Sequence, residues 1–294
     1  MQKLDRAWLD RHPLPSPAIG GDKNARGRVL VVGGAEFVPG ALRLTGEAVL
    51  RAGAGKLQMA TVRAAAMSLA VLMPEAAMIA LPADDDGEIA SGAIELLGER
   101  LANCDTLVLG PGMSASERTE QLVAALLRGA SAGQTIVLDA AALTCAGNLG
   151  TLVAAHEGRV IMTPHYGEMA YLTGIDAETI ANDPVAAAER VAEKFNAIVV
   201  LKGARTVLAG AGEEAALFEG GSAGLATSGS GDVLAGVIGG IAARGAVPFT
   251  AAGWGVFIHG AAGEHAAKEI AEIGFLARDL LPAIPKLIAN FGAG

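Results

Sequence analysis

The stretch Thr227-Ser228-Gly229-Ser230-Gly231-Asp232 runs straight into Val233-Leu234-Ala235-Gly236-Val237-Ile238, so a Gly/Ser loop opens a long apolar helix. Such a loop leaves several backbone N–H groups without intrahelical acceptors, and the helix dipole adds partial positive charge at the same place. That pairing suits a phosphate group. A helix cap supplied by Ser230 or Asp232 is the plainer reading of the same residues. The double glycine speaks for a ligand, because it lets the backbone approach something closely, which a cap does not need.

Working outward from this loop, short β-branched or apolar runs occur at Val29–Val32, Lys56–Thr61, Thr106–Leu109, Thr135–Leu138, Val160–Met162 and Ile198–Leu201, each of strand length. Between them Ala41–Ala52, Glu88–Leu101, Glu117–Arg128 and Pro184–Phe195 carry apolar residues at spacings of three and four, the pattern of amphipathic helices. The alternation predicts an α/β fold of three layers, with a central, mostly parallel sheet and helices on both faces. Thr206–Ala209 and Ala215–Phe218 read as a late antiparallel hairpin at the sheet's edge, and the C-terminal third reads as helical. No linker or internal repeat divides the chain. Residues 1–294 are therefore expected to form one domain, with 1–25 as an N-terminal extension before the first strand.

The residues that follow the strands carry the functional signal. The runs end in Gly33-Gly34, Gly110-Pro111-Gly112, Asp139, Thr163-Pro164-His165 and Lys202-Gly203. In an open parallel sheet these ends lie along the carboxyl edge, where ligands bind. Glycine and proline also punctuate strand exits in general, but five polar or Gly-rich ends on one edge point to a site.

Composition excludes several classes. With 22 Lys+Arg against 31 Asp+Glu the formal charge is −9, the wrong sign for neutralising a nucleic-acid backbone. Two cysteines, Cys104 and Cys145, make no disulfide framework and suit a reducing cytoplasm. The first seventeen residues lack the apolar core of a signal peptide. Mean hydropathy is +0.43, yet the most apolar stretch, 233–263, is interrupted by Arg244 and Pro248, which favours buried helices over a membrane span. Forty glycines are about twice ordinary usage and mark turns and close backbone approaches.

Two familiar nucleotide motifs are absent. Gly55-Lys56 is followed by Leu57 rather than Ser or Thr, so there is no Walker A loop, and neither Gly110-Pro111-Gly112 nor Gly229-Ser230-Gly231 has the third glycine of a dinucleotide fingerprint. His259 and His265 are not spaced as helical zinc ligands.

Taken in order, Gly33-Gly34, Pro39-Gly40-Ala41, Leu109-Gly110-Pro111-Gly112, Leu138-Asp139-Ala140, Thr163-Pro164-His165-Tyr166-Gly167-Glu168, Leu201-Lys202-Gly203-Ala204-Arg205-Thr206 and Leu225 through Asp232 resemble the ADP-dependent NAD(P)H-hydrate dehydratases, which have the ribokinase-like fold. The resemblance covers 26–288. It implies a lyase that repairs hydrated NADH or NADPH, with ADP or ATP as co-substrate and Mg²⁺ on the phosphates, by phosphoryl transfer to the ring hydroxyl followed by elimination. Asp232 would be the catalytic base. Lys202, Gly203, Ala204, Arg205 and Thr206 would hold the adenine nucleotide together with Gly229, Ser230 and Gly231, whereas Ala41, Gly112, His165 and Asp232 would touch the hydrated dinucleotide.

Metal ligands are not readable in the sequence. A cytoplasmic homo-oligomer is expected, with a separate NAD(P)H-hydrate epimerase acting upstream, and with neither nucleic acid nor membrane as a partner. The chain departs from the family pattern at Ala141, where a second aspartate is common, at Ser222, where asparagine is common, and at Tyr166, where proline is common. A ribokinase-like kinase of a small vitamin precursor, or a nucleotide-binding relative without catalysis, would share the phosphate loop.

Overall fold

Alternate residues of each central strand meet apolar partners on opposite faces, which is why these runs are hydrophobic throughout rather than alternating with polar residues. Val29 and Val31 point into one core with Val108, Val137 and Ile161. Leu30 and Val32 point into the other with Leu107, Leu109, Ile136 and Leu138. The computed structural model describes residues 1–16 and 23–292. Part of the expected N-terminal extension, 17–22, lies outside the described residues.

Among the described residues ten strands form one sheet: β1 (Gln2–Lys3), β2 (Arg28–Val32), β3 (Lys56–Val62), β4 (Ala77–Leu81), β5 (Thr106–Leu109), β6 (Thr135–Leu138), β7 (Val160–Met162), β8 (Ile198–Leu201), β9 (Thr206–Gly210) and β10 (Ala216–Phe218). Their order is β1-β10-β9-β8-β7-β6-β5-β2-β3-β4. Pairing from β4 through β8 is parallel throughout, and β9 is antiparallel to both β8 and β10.

One face is covered by the helices Pro39–Arg51, Ser230–Ala243 and Pro248–Glu269, and the other by Ala93–Leu101, Glu117–Gly129 and Pro184–Phe195. The three layers expected from the sequence are present. The helix pair Ser230–Ala243 and Pro248–Glu269 is the apolar stretch that raises the mean hydropathy, and most of its residues are buried. Among the described residues no helix is long and apolar enough to cross a membrane.

Three local expectations need correction. The hairpin β9–β10 is not at the edge, because Gln2 and Lys3 pair in parallel with Ala216 and Leu217. The stretch ahead of β2 therefore contributes a strand, and its helix Arg6–Arg11 buries Trp8 and Leu9 completely or nearly so. The helix expected at Glu88–Leu101 begins at Ala93. Before it, Asp84 Oδ1 accepts from the N–H groups of Asp86 and Glu88 and Ala83 bridges to Ile89, so a turn competes with the helix there. Finally, β4 is an additional edge strand whose Ala-Met-Ile-Ala-Leu sequence has no β-branched run to announce it.

The chain order places the site. From β2 the chain runs outward through β3 to β4, then returns to pair β5 on the other side of β2 and proceeds away through β6, β7 and β8. The reversal opens a crevice at the carboxyl ends of β2 and β5, the topological switch point of an open α/β sheet.

Candidate active site

At the switch point the two glycine-rich strand ends lock together. Gly34 N–H donates to Pro111 O at 2.7 Å, and a Cβ on Gly33 would sit 2.3 Å from that same carbonyl. Gly112 has φ +70°, and a Cβ there would lie 2.7 Å from Val38 O and 3.0 Å from Ala41 Cβ. Ala41 and Gly112 are thus neighbours although 71 residues separate their numbers, and both border the crevice between β2 and β5.

Next along the edge, β6 delivers Asp139. Its side chain is 3% exposed and accepts from Thr163 Oγ1 at 2.6 Å and from Lys202 Nζ at 3.2 Å. Three neighbouring strand ends, those of β6, β7 and β8, therefore meet in one buried hydrogen-bonded group. The residue after Asp139 is Ala140 at φ +49°. A non-glycine residue in the left-handed region costs about 1–3 kcal/mol and is held there only when its surroundings require it. The turn aims the aspartate at β7 and β8.

Lys202 is the hub of the charges. Besides Asp139 it has Glu168 Oε2 at 3.8 Å, and its Nζ would be 3.3 Å from a Cβ on Gly231. Burial alone would lower the Lys202 pKa, but Asp139 and Glu168 outweigh it, so the net direction is upward and the ammonium is retained.

Asp232 stands in the first turn of the helix Ser230–Ala243, behind Gly229 at φ +87°. No side chain caps this helix, and the Gly231 and Asp232 N–H groups have no acceptor among the described residues. The cap reading of Ser230 and Asp232 does not describe what the side chains do. Burial, reinforced by the negative charge of Asp139 and opposed by Lys202, pushes the Asp232 pKa up to about 7. A carboxyl in that range exchanges a proton near neutral pH, as a general base must.

Beside this group opens a cleft of about 1160 Å³ whose lining includes Lys202, Gly203, Ala204, Arg205, Thr206, Ser230 and Gly231. It is large enough for a nucleotide. Its far wall is braced by Glu264, which accepts from Gly221 N–H at 3.1 Å, and by Glu272, which accepts from Ala223 N–H at 3.1 Å.

His165 lines this cleft as well and forms a β-bridge with Lys202. It also caps the helix Tyr166–Thr173. His165 Nδ1 accepts from Glu168 N–H at 3.1 Å, and Glu168 Oε2 accepts from His165 N–H at 2.8 Å. Glu168 thus both caps a helix and faces Lys202.

Asp139, Thr163 and Glu168 stand in the motifs that carry the family resemblance but are not assigned there as site residues, and Tyr166 is marked only as a departure from the family pattern. Tyr166 packs against Gly203. A Cβ on Gly203 would be 2.6 Å from its hydroxyl, so that glycine and this tyrosine go together. His259, also in the cleft lining, has no sequence signal beyond being a histidine in an apolar helix. Among the described residues no group of three or more His, Cys, Asp and Glu could hold a metal ion.

The family model for NAD(P)H-hydrate dehydratase matches residues 29–286. An ADP-dependent (S)-NAD(P)H-hydrate dehydratase from Xanthomonas campestris is 45% identical over 295 aligned residues, covering 100% of this chain and 98% of that protein. Among solved structures, a ribokinase-like superfamily protein from Enterococcus faecalis superposes with a TM-score of 0.86 at 26% identity, covering 100% of this chain and 97% of the other. An ADP/ATP-dependent NAD(P)H-hydrate dehydratase from Bacillus subtilis, co-crystallised with ATP/Mg²⁺, gives 0.81 at 26% identity, covering 99% and 98%. The fold is ribokinase-like, and with a match that runs from the first central strand into the last helix the chain belongs to the NAD(P)H-hydrate dehydratase family.

Proposed function

We propose that this protein dehydrates the (S)-hydrates of NADH and NADPH, using ADP or ATP as the phosphoryl donor. The observation that carries the reading is the placement of Asp232, a carboxyl with a pKa of about 7, beside the unpaired Gly231 N–H, with Lys202 in its field. Hydroxide leaves a ring carbon poorly, whereas phosphate leaves well. Asp232 takes the proton of the ring hydroxyl as its oxygen attacks the terminal phosphorus of the nucleotide, and the shortened nucleotide departs. The C–O bond then breaks with its electron pair going to phosphate, and loss of a proton from the adjacent ring carbon restores the double bond of the reduced nicotinamide.

The free N–H groups at the helix start and Lys202 stabilise charge on the moving phosphoryl group. Lys202, Gly203, Ala204, Arg205 and Thr206 form the nucleotide wall of the cleft, with Gly229, Ser230 and Gly231 under the phosphates. Ala41 and Gly112 border the place for the hydrated dinucleotide, with Asp232 between the two ligands and His165 reaching from the nucleotide side. With no metal-binding cluster among the described residues, Mg²⁺ enters as part of the nucleotide substrate.

A dehydratase specific for one hydrate epimer leaves the other untouched, so an epimerase acting upstream completes the repair. The reading places the enzyme in the cytoplasm, where the reduced cofactors are used and where the free, buried Cys104 and Cys145 stay reduced. It also includes self-association through the helix Arg63–Leu72 beside edge strand β4, since Met67 and Val71 are 73% and 82% exposed.

The test is to incubate hydrated NADPH with protein, Mg²⁺ and ADP or ATP, and to follow the absorbance of reduced nicotinamide together with phosphate release. Both should rise in equal amounts. A stable phosphorylated alcohol would instead indicate a small-molecule kinase, and no turnover a binding protein.

A further inference from the structure

Ser230 is 6% exposed, yet it lines the nucleotide cleft at the first position of its helix. From the helix Pro248–Glu269, His259 reaches it with a single ring nitrogen. His259 Nε2 lies 2.9 Å from Ser230 Oγ and 3.0 Å from Ser230 O. A carbonyl oxygen only accepts, so the nitrogen that faces it carries the hydrogen. Burial, with a smaller contribution from Lys202 and against the Ser230 carbonyl, lowers the His259 pKa to about 4 and keeps the ring neutral with one N–H. That N–H is shared between the carbonyl and the hydroxyl oxygen of one residue.

The consequence falls on the serine. Its hydroxyl oxygen is occupied as an acceptor, and its own hydrogen is turned away from the ring. The remaining direction is the cleft, where the Gly231 N–H and Lys202 also converge. We propose that His259 is a positioning residue which, through its shared Nε2–H, fixes the Ser230 hydroxyl as a hydrogen-bond donor to a phosphate oxygen of the bound nucleotide. This rests on reading the cleft as the nucleotide site.

The test is calorimetric titration of the full-length protein with MgADP and with MgATP. A hydrogen bond to a charged group is worth about ten- to a hundredfold in affinity. His259→Phe and Ser230→Ala should therefore each weaken nucleotide binding by about that factor. The double variant should be no weaker than Ser230→Ala alone, since both changes remove the same bond. His259→Gln, whose side-chain amide can place a donor near the Nε2 position, should recover most of the loss. A merely structural histidine would lower the unfolding temperature while the two affinity losses multiplied, and that result would overturn the proposal. So would His259→Phe binding MgADP as the wild type does. Should His259→Phe fail to fold, His259→Asn, too short to reach Ser230, replaces it in the same cycle. A wild type that bound neither MgADP nor MgATP would overturn the reading of the cleft instead.

Discussion

Lys202 Nζ lies 3.2 Å from Asp139 Oδ1, joining the ends of two strands 63 residues apart and setting the field in which Asp232 titrates. Asp139 and Lys202 act on Asp232 in opposite directions, while burial raises it in any case. Removing either partner should move the acid limb of kcat/KM, which reports the base of the free enzyme. Lys202→Ala should shift that limb above about pH 7, and Asp139→Asn should shift it below. Shifts in the same direction would show that the three groups are not coupled as described.

The same Lys202→Ala variant should bind the adenine nucleotide about ten- to a hundredfold more weakly, the value of a lost charge-assisted bond. Its affinity for the hydrated dinucleotide should change less. Titration with each ligand separately decides between these outcomes, and equal affinities before and after the change would remove Lys202 from the nucleotide site.

Asp232→Asn keeps the shape of the helix start and removes the base. Turnover should fall by about 10²–10⁴, with nucleotide still bound. Stability should change in the opposite sense. The folded-state pKa of about 7 lies above the ordinary aspartate value of 3.8, so the native state holds a proton that the unfolded chain releases, and stability is lost as pH rises through that window. Asp232→Asn should therefore stabilise the protein by roughly 1–3 kcal/mol at pH 8 and leave it unchanged near pH 3. Thermal unfolding at the two pH values, beside turnover on the same sample, tests both halves.

Gly112→Ala places a Cβ 2.7 Å from Val38 O at a residue with φ +70°. The backbone carbonyl cannot swing aside like a side-chain tip, so a loss of about 1–3 kcal/mol is expected. The shift would also move Ala41 and raise KM for the hydrated dinucleotide more than KM for ADP. Equal changes in both would place Gly112 away from that substrate.

Trp8→Ala probes the N-terminal segment. Trp8 is fully buried, stacks on His12 with centroids 3.9 Å apart, and fills the space that a Cβ on Gly253 would enter at 2.3 Å. Its loss should cost about 3–5 kcal/mol, read as a lower midpoint in denaturant. An unchanged midpoint would show the segment to be an appendage.

The central strands were legible because parallel strands buried on both faces leave continuous apolar runs, and five of their polar or Gly-rich ends then had to share an edge. β1 was not legible, since two residues carry no period, and β4 was hidden because alanine and methionine favour helices as readily as a strand at the sheet's margin. Single residues of the site stood out where the backbone itself is special, as at Gly229 and Gly112. The grouping of Asp139, Thr163 and Lys202 did not, because it depends on the lateral order of three strands. Nor did the Ser230–His259 contact, which depends on how two apolar helices pack.

The pairing of β1 with β10 also bears on how the protein is made. The earliest strand of the sheet hydrogen-bonds to the latest, Gln2 opposite Ala216. At a synthesis rate of about 5–20 residues per second, roughly 10–40 s pass between the two leaving the ribosome. During that interval Leu4, Trp8 and Leu9, all core residues in the finished fold, have no β10 to settle beside. The segment therefore stays without its strand partner until β10 has been made, and the sheet closes only when that last strand arrives.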